Sequence, residues 1–121
     1  MSLHWNYAAA LDRVGSDEAL LRELIDIFFE EYPKYVNRLN EAVSRQDPLS
    51  LREAAHALKG SLGYLGATAA EKMAIEIEGA SLAGDPVMAA GLVTNLLAEI
   101  EALQPIMSSQ PGETSHDSAV E

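Results

Sequence analysis

Apolar residues recur every three or four positions along most of the chain, and this spacing is typical of amphipathic helices. A short helix is predicted over residues 7–14, ended by Gly15. A longer helix follows, capped by Ser16 or Asp17, and Pro33 either kinks it or opens a new helix. The apolar positions of this segment are Leu20, Leu21, Leu24, Ile25, Phe28, Tyr32, Val36, Leu39 and Val43.

Three further helices have recognisable starts. Asp-Pro pairs at 47–48 and 85–86 each join a capping side chain to a first-turn proline. Thr68 and Glu71 have the spacing of a capping box, which predicts that another helix starts at Thr68, between the two Asp-Pro starts. The last helix should end near residues 105–108. The positions expected to face the core are Leu51, Ala55, Leu58, Leu62, Met73, Ile77, Ala80, Leu82, Val93, Leu96, Leu97, Ile100 and Leu103.

This pattern, which lacks the alternation of strands, predicts an all-α fold. We expect an up-and-down antiparallel four-helix bundle with a short N-terminal helix, formed by residues 4–108 as one domain. Residues 109–121 are polar and contain proline and glycine, so a disordered tail is expected there. Residues 1–3 could be a cloning remnant and are set aside.

Charge and composition exclude several classes of function. The chain has 8 Lys and Arg residues against 19 Asp and Glu residues, and its net charge of -11 argues against binding nucleic acid or an anionic membrane. It has no cysteine, which removes disulfides, thiolate catalysis and cysteine-based zinc sites. No signal peptide and no apolar run long enough to span a membrane is visible, so a cytoplasmic protein is expected.

The chain has 3 histidines, and their spacing is not that of metal ligands, so we expect no metal site. His4 and His116 lie in terminal segments and are interpreted as incidental. His56 is different, because on a helical wheel it lies about 140° from Leu51 and therefore off the buried stripe. The residues that share its face of the helix are Arg52, Lys59, Gly60 and Gly63.

The two glycines on this face weaken the helix, since glycine costs roughly 1 kcal/mol relative to alanine inside a helix. Gly60 lies well inside the predicted helix, so it either lets another protein approach His56 or allows close packing of a neighbouring helix. Gly63 could instead be a helix cap. Lys59 lies one turn from His56 and could neutralise a phosphate there, while Arg52 could assist or be a solvated charge.

Residues 56–61, His-Ala-Leu-Lys-Gly-Ser, resemble the H-x-L-K-G-[SA] signature of histidine-containing phosphotransfer (HPt) domains. The resemblance covers roughly residues 7–107. Leu62 and Tyr64 depart from it, because the family often has a small residue and a polar residue at these places. Other positions that are similar are Phe28, Leu39, Ala42, Asp47, Leu65, Gly66, Ala67, Gly84 and Asp85.

The resemblance implies a phosphocarrier in a two-component phosphorelay. His56 would accept a phosphoryl group from the aspartyl phosphate of a receiver domain and pass it to another receiver. Lys59 would be the phosphate-stabilising residue. The docking surface would comprise Gly60, Gly63, Arg52 and Tyr64.

The resemblance also implies which parts of the reaction the partner proteins would supply. It would bind no cofactor, and the partner receiver would supply Mg²⁺. We expect a monomer with little or no activity on its own. Its partners would be response-regulator receiver domains and a hybrid sensor histidine kinase, which could itself be anchored in a membrane.

One acceptor near Nδ1 of His56 would fix the orientation of the imidazole. Residues equally far from the turn near Gly66 should face each other, which brings residues 75–79 opposite His56. Glu76 and Glu78 are the acidic candidates, and the resemblance favours Glu78 as the residue that orients His56. The alternative is that both glutamates are solvated surface acids.

Two other functions remain open at this point. A histidine kinase dimerisation domain also presents a helical histidine, but it typically has an acid next and a proline one turn later, where this chain has Ala57 and Ser61. A non-catalytic helical adaptor would bind a partner helix through an apolar face, and His56 would be incidental. Acceptance of phosphate distinguishes the adaptor from the phosphocarrier.

Overall fold

The computed structural model describes residues 4–109, and the predictions for residues 1–3 and 110–121 lie outside this part. Five helices and no strand occur in the described residues, which confirms the all-α prediction. In chain order they are α1 (Tyr7–Arg13), α2 (Glu18–Ser44), α3 (Pro48–Tyr64), α4 (Thr68–Ala83) and α5 (Pro86–Ser108).

The predicted aspartate caps are confirmed at three helices. The side chains of Asp17, Asp47 and Asp85 each accept a hydrogen bond from the backbone N–H three residues later, at 3.0–3.1 Å. These bonds satisfy N–H groups that have no partner inside the helix. α2 then continues unbroken through Pro33, so neither a new helix nor a break begins at this proline.

The predicted capping box at Thr68 is wrong. Ala67, which is fully buried, occupies the cap position of α4 and makes no side-chain capping bond. Thr68 is already the first helical residue, and its hydroxyl donates to the Gly66 carbonyl oxygen. The tight turn at Gly66 brings the chain into α4 one residue earlier than the sequence pattern indicates.

The core lies between α2, α3, α4 and α5, and α3 packs most extensively against α4. Leu82 was expected to face the core but is 69% exposed, and Leu20 of the apolar series in α2 is exposed as well. Leu82 is five residues beyond the buried Ile77, which turns it about 140° away from the core side of α4. The largest fully buried side chains are Leu21, Leu39, Leu58, Leu62, Leu65, Ile77, Leu96, Ile100, Leu103 and Met107.

α5 is long and apolar enough to cross a membrane, by length and composition only. A core helix of a bundle has the same features. Val93, Leu96 and Ile100 on this helix are buried against the other helices.

The segment before α1 is held across the α3–α4 turn. The buried indole of Trp5 donates to the Leu65 carbonyl oxygen at 2.8 Å, and the backbone N–H of Asn6 donates to the Gly66 carbonyl oxygen at 2.8 Å. His4 contacts the Glu99 carboxylate on α5. His4, which was interpreted from its terminal position as incidental, therefore has a structural contact, because folding brings Glu99 to it from 95 residues away.

Gly66 should be sensitive to the smallest substitution. Its φ is +77°, and a Cβ there would lie 2.5 Å from the Asn6 carbonyl oxygen. We expect Gly66→Ala to lower the free energy of unfolding by about 2 kcal/mol or more, since left-handed strain of roughly 1–2 kcal/mol adds to this collision. Gly84→Ala is the matched control, because Gly84 has a φ of +72° but open space around it. Equal losses in urea denaturation would contradict this explanation.

Candidate functional site

His56 lies near the middle of α3 and points out of the bundle. Its side chain is 69% exposed, whereas Leu51, Leu58 and Leu62 of the same helix are buried. The structure therefore places His56 off the buried side of α3, as the helical wheel predicts. An exposed imidazole on a rigid helix can be reached by a second protein.

Glu78 of α4 contacts two side chains of α3 at once. Its Oε2 lies 2.8 Å from Nδ1 of His56, and its Oε1 lies 3.1 Å from Nζ of Lys59. The carboxylate is only 17% exposed and Lys59 is 29% exposed, so this ion pair is partly shielded from water. The structure thus brings together three of the residues singled out in the sequence, and Glu78 rather than Glu76 contacts the ring.

The electrostatics keep Glu78 ionised. Burial raises the pKa of Glu78, but the hydrogen bonds and charges of His56 and Lys59 outweigh it and hold that pKa below its ordinary value. An ionised carboxylate can only accept, so the proton of a neutral His56 ring must be on Nδ1. Nε2 then carries the lone pair and is the nitrogen free to react.

Exposed apolar surface lies on both sides of His56. A groove between α2 and α3 includes Gly60 and Tyr64, with Ile27 on its opposite wall, half exposed. A second groove, between α3 and α4, includes Arg52 beside His56 and is lined by the exposed Ile75 and Leu82.

Gly60 is exposed, and a Cβ on it would meet no neighbouring atom of the described chain within 4 Å. Packing of a neighbouring helix therefore does not explain this glycine. Gly63 differs, because its Cβ would lie 2.7 Å from Oε2 of Glu71 on α4. Gly63 is inside α3 and not its cap, and the atoms in question are the flexible end of the Glu71 side chain, so packing against α4 does not by itself require a glycine there.

Some residues in and around the site were not identified from the sequence pattern. The guanidinium of Arg13, on α1, donates to the carbonyl oxygens of Gly63 and Tyr64 at the end of α3. Ile75 and Leu82 were equally missed as surface residues, although both lie off the Ile77 side of α4. Within residues 4–109 no group of three or more metal-binding side chains occurs.

The contacts of Glu78 predict a loss of stability in acid. A carboxyl whose pKa is lower in the folded chain stabilises the fold above its unfolded pKa, near 4.5, and this contribution disappears as the pH falls through the folded value. We expect the free energy of unfolding to fall more between about pH 7 and pH 3 in the wild type than in Glu78→Gln. Glu76→Gln, at an exposed neighbouring position, should behave like the wild type.

The fold and the site together define a class of protein: a helical bundle with an exposed histidine, held by a carboxylate, on the surface of one helix. A family model of the Hpt domain matches residues 23–105, well over half of the chain. The chain therefore belongs to the Hpt domain family, and it has a phosphotransfer role in two-component signalling. The resemblance drawn from residues 56–61 is confirmed.

A solved structure supports the same fold. The chain is similar to the HPT domain from the Hpt sensor hybrid histidine kinase from Shewanella, with a TM-score of 0.75 and 20% sequence identity. The match covers 90% of this chain and 94% of that one. No curated protein matches the chain.

Proposed function

We propose that the chain is a phosphocarrier that accepts a phosphoryl group on His56 from the aspartyl phosphate of one receiver domain and passes it to another. The observation that carries this proposal is the setting of His56. Its Nδ1 is held by Glu78 at 2.8 Å, while the ring itself is largely exposed. Receiver domains, including one in a hybrid sensor histidine kinase, would be its partners, in the cytoplasm.

The transfer would need little from this chain beyond a positioned nucleophile. The lone pair on Nε2 forms a bond to phosphorus as the bond from phosphorus to the aspartyl oxygen breaks, and that electron pair returns to the receiver carboxylate. Phosphoryl transfer depends on in-line approach and on neutralising charge. The Mg²⁺ and most of that neutralisation would come from the receiver, so the chain alone would have little or no activity.

Lys59 would supply the positive charge on this side of the transfer. Its ammonium is 3.1 Å from Glu78 and one helical turn from His56, so a change of side-chain torsions would carry it to a phosphoryl group on Nε2. A phosphoryl group brings close to two negative charges, which compete with the single charge of Glu78 for Lys59.

The docking surface would be centred on Gly60, where no side chain obstructs the approach to His56. Tyr64 and Arg52 would contact the receiver from the two grooves on either side, and both are exposed. Gly63 would form the edge of this surface next to α4. We propose that the chain is a monomer and that one copy of it binds one receiver domain.

The proposal is tested by incubating the chain with a phosphorylated receiver and Mg²⁺. An adduct that is labile in acid and stable in base is expected, because this is the chemistry of phosphohistidine. A non-catalytic adaptor would bind the receiver, if at all, without forming the adduct. A base-labile adduct would point to an acyl phosphate and would also contradict the proposal.

A further inference from the structure

The Glu78 carboxylate contacts the nitrogen of His56 that does not react. Its Oε2 accepts from Nδ1 and not from Nε2, and the Glu78 side chain is 17% exposed against 69% for His56. A contact at this nitrogen leaves the path to Nε2 clear. It also persists when Nε2 carries a phosphoryl group, because the two nitrogens face different directions.

The proton on Nδ1 determines how easily the phosphoryl group leaves again. When Nε2 of a neutral ring bonds to phosphorus, the ring becomes a cation that retains its Nδ1 proton. If that proton stays, breaking the phosphorus–nitrogen bond returns the electron pair to Nε2 and releases a neutral imidazole. If that proton has been lost to solvent, the same step must release an imidazolate anion, which is a much poorer leaving group.

We propose that Glu78 holds the Nδ1 proton on phosphorylated His56 and thereby keeps the phosphoryl group transferable to the next receiver. This inference rests on the proposed function and adds a role in the outward step. Glu78 acts as a positioning residue, since it contacts the ring and not the phosphoryl group.

Charge favours this role for Glu78 once the phosphoryl group is present. Lys59 shares the carboxylate in the unphosphorylated chain, and its transfer to the phosphoryl oxygens would leave both carboxylate oxygens to the cationic ring. An opposite charge within hydrogen-bond distance raises the affinity of a ring nitrogen for its proton. The pKa of Glu78 lies below its ordinary value, so the carboxylate is ionised throughout the range in which imidazole titrates.

Other charged groups near His56 are less well placed to hold this proton. Arg52 and Glu53, on α3, line the same groove as His56 and are exposed. Glu31 of α2 is exposed and lines the other groove, beside Gly60. None of these three has a hydrogen bond to the ring among the described residues, whereas Glu78 does.

The test compares the wild type with Glu78→Gln and, as a matched control, Glu76→Gln. Glutamine can still accept a hydrogen bond from Nδ1, so the substitution removes the charge and keeps the contact. Each protein is loaded at histidine with phosphoramidate, which needs no receiver, so a variant that accepts phosphate slowly is still measured. His56→Gln identifies the signal that belongs to His56.

The readout is the pH midpoint of the phosphohistidine signal in ³¹P NMR, measured together with the pH profile of transfer to a receiver. We expect both midpoints to be about one pH unit lower in Glu78→Gln than in the wild type, and unchanged in Glu76→Gln. A purely structural role for Glu78 would change the transfer rate at every pH and leave the midpoints where they are.

The outcomes separate the inference from the proposed function. Identical midpoints in the wild type and Glu78→Gln, with normal loading and transfer, would overturn the inference and leave the phosphocarrier intact. A wild type that phosphoramidate loads but that exchanges no phosphate with any phosphorylated receiver of its cell would overturn the proposed function.

Discussion

His56→Gln is expected to abolish acceptance of phosphate from a phosphorylated receiver while leaving the chain folded. Glutamine has no nucleophilic ring nitrogen, and the side chain that it replaces is 69% exposed. The free energy of unfolding should change by less than about 1 kcal/mol, because exposed polar contacts contribute little to stability. Receiver-dependent labelling and urea denaturation measure the two effects separately.

His4→Gln is the control for this prediction. His4 contacts Glu99 on α5 and is not part of the proposed site. We expect this variant to accept phosphate at the wild-type rate. If His56→Gln were labelled as fast as the wild type, another residue would be the nucleophile.

Gly60→Gln is expected to slow transfer from a receiver by about a hundredfold, since a misplacement of about 1 Å at a reacting centre has effects of this order. The new side chain would extend from an open position one turn from His56, where the receiver must approach. Acceptance from acetyl phosphate, a much smaller donor, should be affected far less. The ratio of the two rates therefore separates an effect of the substitution on receiver docking from an effect on the reactivity of His56.

Gly60→Ala provides the matched control. Its methyl group would meet no neighbouring atom within 4 Å, and alanine favours the helix, so we expect an increase in the free energy of unfolding of up to about 1 kcal/mol. Transfer from the receiver should remain close to normal. Normal transfer by Gly60→Gln as well would show that clearance at this position is not needed.

The parts of the fold that depend on neighbouring residues in the chain were predictable. Asp47 and Asp85 start helices because a capping carboxylate and a first-turn proline act within one turn, whatever the rest of the chain does. The orientation of His56 follows from the spacing of leucines in α3 by the same local logic. The prediction that α4 lies beside His56 needed only the position of the turn near Gly66, which joins the two helices.

The parts that depend on distant residues were not predictable. Nothing near His4 in sequence indicates Glu99, and nothing near Arg13 indicates the end of α3. Thr68 and Glu71 have the spacing of a capping box, but the turn at Gly66 determines where α4 begins. The helical wheel could not decide between Glu76 and Glu78, because it places both at similar angles from Ile77.

The most direct test of the phosphocarrier is a relay with two receivers. Phosphate labelled on the first receiver should pass to His56 and then to the second receiver, and this second step should require the chain. In a sample quenched early, peptide sequencing by mass spectrometry should find the phosphate on His56. Transfer between the receivers that is unaffected by the chain, or phosphate on any other residue of it, would contradict the account.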